Sequence, residues 1–300
     1  MSVRAGEVEC THGGDPLPIQ EGSGALVSRR GAVTIPPAPC ATNGKGGRRI
    51  RVLYGYPDGT KNRIKNQRAK IRAAVSLADY NLDFATPDVQ GQHYRLYCKT
   101  DVSVSVTAVR LVAIGDDVTF TFNDVVSSLT NQVSYGLGHE DFEDSRFVYS
   151  IFVDNIACCY PFGGQANLQD DDRADPTVNF NNLVFGNRYS MILWGLSPES
   201  EAKIFQHEVG HNLGAVQLSA PHSSLAYHCY DGEDIMCYND GGQYFQNGGS
   251  MTSDCLLLED GLPPFDCGGD DYYNATPLPG SYLESHWNLV RSSWLTWEAA

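Results

Sequence analysis

The sequence predicts an α+β protein in which helices pack on a twisted mixed β-sheet and a turn-rich C-terminal part follows. Two observations predict it. Short apolar runs bounded by turn residues alternate with two stretches of helical apolar spacing, and a well-capped helix stands directly after a buried strand. With 300 residues, of which 42% are hydrophobic and 11% aromatic, the chain can build a substantial core.

Residues 1–47 ("GGDPLPIQEGSG", "TIPPAPCATNGKGG") are rich in Gly, Pro and small side chains without periodicity, and read as a poorly ordered extension or pro-segment. "RIRVLYGY" from Arg49 is then the first strand, and "GTKNRIKNQRAKIRAAVSLADYNLDF" is a long helix with a charged, solvated face. "YRLYCK" and "VSVSVTAVRLVAI" alternate as strands, "FNDVVSSLTNQVS" is a second helix, and "RFVYSIFVDN" and "RYSMILWG" are strands flanking the Asp/Asn-rich loop "QDDDRADPTVNFNN". "LSPESEAKIFQHEVGHNLG" starts at Ser197 as cap, with Pro198 in the first helical position and Glu199 and Glu201 in the first turn, and stops at Gly214. Ala202, Phe205, Val209 and Leu213 form its core stripe. The chain closes with "GSYLESHWNLVRSSWLTW", read as a helix packed by Trp287, Leu289, Trp294 and Trp297.

Lys+Arg total 21 and Asp+Glu 36, a net charge of −15 that repels phosphate backbones and anionic lipid; nucleic acid and membrane surfaces are not expected partners. Nine cysteines, several in Gly/Asp/Pro-rich loops, suit disulfides in an oxidising compartment, so a secreted protein and a monomer are expected. "MSVRAGEVECTHGG" has no apolar signal-peptide core, and the expectation is that an export signal has been removed. Cys40 is expected either to pair with Cys10 or to serve as a latency thiolate.

The chemistry is carried by "HEVGH". His207 and His211, four apart on a helix, project from one face and can take two corners of a zinc tetrahedron. Glu208 beside them can accept a proton from metal-activated water and later deliver it to a leaving amine. "HEVGHNLG" followed by "DIMCY" resembles the metzincin clan of zinc endopeptidases, with Gly214 at the helix-breaking glycine and Met236 at the methionine turn. "DDDRADPTVNFNN", "HCYDGEDIMCYND", "FDCGGDDYYN" and "GSYLESHWN" add a resemblance to a group of secreted bacterial metallopeptidases. The resemblance implies a metzincin-like (zincin) catalytic domain over 48–300, with an N-terminal subdomain 48–214 and a C-terminal subdomain 215–300.

The sequence departs from the clan at the third ligand. Three residues past Gly214 stands Gln217, whose neutral amide is a poor zinc ligand. Three candidates compete: Gln217 or a water, His222, and His228. His228 is favoured because it precedes Met236 by the interval of the clan's matrixin branch, which makes 215–227 an insertion. Cys229 and Cys237 would then pair and hold it in place. "QDDDRADPTVNFNN" and, more weakly, "DCGGDDYYN" offer oxygen ligands for Ca2+ or are solvated acidic loops. Tyr238 is either an oxyanion donor or a packed turn residue. The expected activity is zinc-dependent hydrolysis of a protein or peptide substrate lying along a sheet edge, "DNIACCYPFGG". The rival is a catalytically weak pseudo-peptidase kept as a zinc-stabilised binding module.

Overall fold

Alternation along the strands decides which layer each helix covers. A computed structural model describes residues 15–16, 35–40, 47–85, 91–99, 103–113, 120–154, 162–184, 186–252 and 263–297. Strand β1 is Asp15–Pro16, β2 Arg49–Pro57, β3 Gln92–Tyr94, β4 Val106–Leu111, β5 Phe147–Asp154, β6 Phe162–Ala166, β7 Arg188–Trp194 and β8 Leu295–Trp297. The helices are α1 (Ile64–Phe84), α2 (Phe122–Thr130), α3 (Pro198–Leu213), α4 (Gln243–Gln246) and α5 (Tyr282–Ser285).

Six strands form one mixed sheet in the order β1-β6-β7-β5-β2-β4. Its centre, β4, β2, β5 and β7, is parallel, whereas β6 pairs antiparallel to β7 and β1 antiparallel to β6. Parallel strands are covered on both faces, which is why β5 and β7 read as almost unbroken apolar runs. Ile50, Val52, Tyr54, Val148, Phe152 and Ile192 face α1 and α3 in one core. Leu53, Tyr149, Ile151, Val153 and Met191 face α2 in the other. The α+β expectation of a mixed sheet with packed helices therefore holds.

Several element boundaries differ from expectation. Helix α1 starts at Ile64, because Asn62 Oδ1 accepts the Ile64 N–H at 2.9 Å and Thr60 Oγ1 donates to Pro57 O at 2.7 Å, holding 57–62 as turns. Of "YRLYCK" only Tyr94 is strand, in β3, which pairs with β8 rather than joining the main sheet. The closing segment is not one helix. It contains α5, a 3₁₀ turn at Leu289–Arg291 and β8. His286 is extended, the Trp287 N–H donates to Asp172 O at 2.7 Å, and Asn288 caps Val290, so backbone bonds to other segments replace the helical ladder. Trp287, Leu289 and Trp294 are buried as expected, but Trp297 is 42% exposed at the chain's edge.

Most of 1–47, expected to be a poorly ordered extension, lies outside the described residues, but 15–16, 35–40 and 47 do not. Asp15–Pro16 forms β1, and Cys40 pairs with Cys98, which corrects the expected Cys10–Cys40 bridge and removes Cys40 as a free thiolate. Cys98 follows β3, and the N–H of its neighbour Tyr97 donates to Ile50 O of β2 at 2.9 Å, whereas Cys10 is outside the described residues. Among the described residues no helix is long and apolar enough to cross a membrane.

Candidate metal centre

The centre is built on α3. Ser197 caps it by accepting the Ser200 N–H at 3.2 Å, Pro198 opens it, and Gly214 ends it in the left-handed region at φ 87°. Ala202, Phe205, Val209 and Leu213 are buried against the sheet, which turns His207 and His211 toward the C-terminal segment.

There they meet His228. The three Nε2 atoms converge at 3.1 Å (His207–His211), 3.1 Å (His211–His228) and 3.2 Å (His207–His228). Acceptors stand at the far sides of two rings: Ile235 O is 2.8 Å from His207 Nδ1, and Asp240 Oδ2 is 3.0 Å from His228 Nδ1. Those acceptors place the ring proton on Nδ1, so Nε2 of both rings presents a lone pair to the common point. Buried lone pairs facing one another repel, and a cation between them relieves the repulsion. Bonds of about 2.05 Å at a tetrahedral angle hold neighbouring nitrogens about 3.3 Å apart, close to the observed spacing. The cluster could thus hold a metal ion, and its donor set suits zinc.

His228 reaches this point because the chain folds out and back after Gly214. The Ser224 N–H donates to His228 O at 2.7 Å, Ser223 bridges Cys229, and Cys229 is disulfide-bonded to Cys237 beside the methionine turn. Val216, Leu225 and Tyr227 adopt positive φ, a conformation that costs energy for such residues and marks a loop held by its surroundings. Gln217 is not at the centre. Its Oε1 accepts the Asp171 N–H at 2.7 Å and its Nε2 donates to Gly214 O at 2.9 Å, bracing the turn. His222, the alternative third ligand, is also elsewhere: its Nδ1 lies 3.2 Å from Asp271 Oδ2, and its backbone N–H donates to Asp271 Oδ1. The Asp271 carboxylate holds both ends of the residue and directs the ring away from the three histidines.

Met236 is fully buried under α3. A Cβ on Gly210 would come 2.7 Å from Met236 Sδ, so the glycine between the two helix histidines makes room for the turn. Asp234 shapes that turn by accepting the Met236 N–H at 2.6 Å, the Cys267 N–H at 2.6 Å and the Tyr272 hydroxyl at 2.8 Å. Tyr238 packs its ring 4.4 Å from His228.

Glu208 is buried, and its carboxylate rests on Gly164 of β6. Residues 155–161 of the expected substrate edge lie outside the described residues, but its last part, Phe162 to Gly164, falls in β6, which lies beyond β7. Sequence reasoning did not single out Gly164 or Asp240. The only signals were a Gly-Gly pair at the end of an apolar run and an Asp shortly after the methionine turn.

The loop considered for Ca2+ uses its carboxylates on its own chain. Asp171 pairs with Arg173 and accepts the Phe180 N–H at 2.6 Å, and Asp175 accepts the Thr177 N–H and hydroxyl. No protein-family model matches the chain, and no curated protein matches its sequence.

Proposed function

We propose that this protein is a secreted zinc-dependent endopeptidase of metzincin type that hydrolyses peptide bonds in an extended substrate. The observation that carries the reading is the convergence of His207, His211 and His228 on one point while Glu208 stands between the first two on the same helix. A purely structural zinc needs no carboxylate there and more often has four protein ligands.

In this reading His207, His211 and His228 hold the ion, with Ile235 O and Asp240 orienting two of the rings. The ion, when bound, supplies Lewis acidity that acidifies water and polarises the scissile carbonyl. Glu208 accepts the proton of the attacking water on its carboxylate and delivers it to the departing amine. Gly214 and Met236 keep the helix end and the turn in register with the histidines. The substrate lies along β6, adding a strand through backbone hydrogen bonds. The pairing of Asp15 with Gly164 and of Pro16 with Phe162 along this edge supports that reading. The Cys40–Cys98 and Cys229–Cys237 disulfides support an oxidising, extracellular setting.

The test is metal content together with casein or peptide cleavage for the parent, Glu208→Gln and His228→Ala. Glu208→Gln is expected to retain the ion and lower kcat by about 10²–10⁴, the usual worth of a positioned general base. His228→Ala is expected to lose both the ion and activity. Undiminished cleavage by Glu208→Gln would refute the catalytic assignment, and full metal occupancy in His228→Ala would refute the ligand set.

A further inference from the structure

We propose that His222, Asp231, Asp270 and Asp271 form a second metal site, separate from the three-histidine centre, that takes a divalent transition-metal cation and ties the loop carrying His228 to the C-terminal segment.

The donor atoms of these four residues all lie within 4.8 Å of one another. His222 Nδ1 is 3.2 Å from Asp271 Oδ2 and 3.7 Å from both Asp231 Oδ2 and Asp270 Oδ1. Ligands bound at about 2.0–2.2 Å around one ion are separated by about 3 to 4.4 Å, so the cluster has the dimensions of a coordination sphere. The residues come from three segments that nothing in the chain's local order brings together: the 215–228 loop, the stretch before the methionine turn, and the segment after Cys267.

Two carboxylates point to a ligand beyond the cluster itself. Asp231 has a side chain only 3% exposed. Its Oδ1 lies 2.9 Å from Cys237 Sγ, but that sulfur is bonded to Cys229 and has no hydrogen to donate. Among the described residues no other residue's N–H or O–H reaches this carboxylate within hydrogen-bonding distance. The Asp270 Oδ1 atom is likewise buried without a hydrogen-bond partner. Nearby Asp234 and Asp266 differ in kind, since backbone N–H groups saturate them: Met236 and Cys267 donate to the former, Tyr272 and Tyr273 to the latter. Carboxylates gathered out of water repel one another, and a divalent ion among them relieves that repulsion.

One imidazole with three carboxylates suits Zn2+ or Mn2+, whereas Ca2+ takes six to eight oxygens. His222 and Asp270, 30% and 44% exposed, leave an entry path. The bound ion would brace the loop at His222 on its way to His228, acting with the backbone bond from the Tyr230 N–H to His222 O at 3.0 Å.

The experiment is calorimetric titration of the chelator-stripped full chain with Zn2+, with circular dichroism to verify folding. The parent is expected to bind two equivalents. Asp270→Asn, at a partly exposed position, and His222→Gln are expected to weaken one equivalent at least tenfold and leave the other unchanged. His211→Gln is expected to lose the other and keep this one. A second readout is chymotrypsin cleavage of the 215–228 loop at Leu218, Leu225 or Tyr227, expected to slow on zinc addition in His211→Gln but not in His222→Gln. A single equivalent lost in His211→Gln and untouched in Asp270→Asn and His222→Gln would overturn the second site while leaving the proposed catalytic centre intact. A single equivalent with the reverse pattern would support the second site and overturn the catalytic reading. Displacement of this zinc by tenfold excess Ca2+ would overturn the choice of a transition ion.

Discussion

Gly164 on β6 touches Glu208 on α3: a Cβ added to the glycine would overlap the Glu208 carboxylate. The strand proposed to bind substrate and the group proposed to move the proton are therefore in direct contact. Gly164→Ala is expected to push the carboxylate aside and lower kcat by about 10²-fold, the usual effect of a misplacement of about 1 Å. Zinc content should stay at the parental level. A kcat equal to the parent's would mean that Glu208 has room to accommodate the methyl.

Asp240 orients His228. Burial pulls its carboxyl up, but hydrogen bonds from His228, from the Ser224 hydroxyl and from the Gly242 N–H outweigh burial and hold it below the usual range. Asp240→Asn weakens the acceptor that fixes the ring's proton on Nδ1. Zinc affinity, measured by competition with a chelating dye, is expected to fall about 10- to 100-fold, as for other carboxylates behind a ligating histidine.

Gln217 serves the fold. Gln217→Ala leaves the Asp171 N–H and Gly214 O without their partner, a loss of about 1–3 kcal/mol. A lower urea midpoint with unchanged zinc stoichiometry is expected. Loss of zinc in a folded variant would instead return Gln217 to the ligand set.

Glu201 makes stability fall with pH. Burial raises its carboxyl to about 7, although the Gly195 and Leu196 N–H groups act in the opposite direction. Its folded-state value lies above the ordinary 4.5, so the native state retains a proton that the unfolded chain releases. The stabilisation is complete below about pH 4.5 and is lost as the pH rises toward about 7. In Glu201→Gln, denaturation midpoints between these values should slope less steeply than in the parent; an identical slope would remove Glu201 as a source.

Strand β1 occupies the edge that a substrate strand would use. A chain beginning at Ile35 retains the Cys40–Cys98 bridge and is expected to cleave an unstructured peptide faster than the full chain, chiefly through a lower KM. An unchanged KM would place the substrate on another surface.

Much of this protein is readable from its sequence because the signals are local. The apolar runs of β2 and β5, the capping of α3 by Ser197 and Gly214, and the four-residue spacing of His207 and His211 each depend on neighbours along the chain. The spacing between His228 and Met236 also singled out the histidine that does join the other two. The closing segment misled, because its aromatic pattern suits a helix while the backbone of Trp287 is bonded to Asp172. What only the tertiary structure decided are the contacts between distant segments: Cys40 with Cys98, Glu208 against Gly164, Asp240 behind His228, and His222 among Asp231, Asp270 and Asp271. Such contacts depend on where loops return after folding, and no periodicity along the chain encodes that.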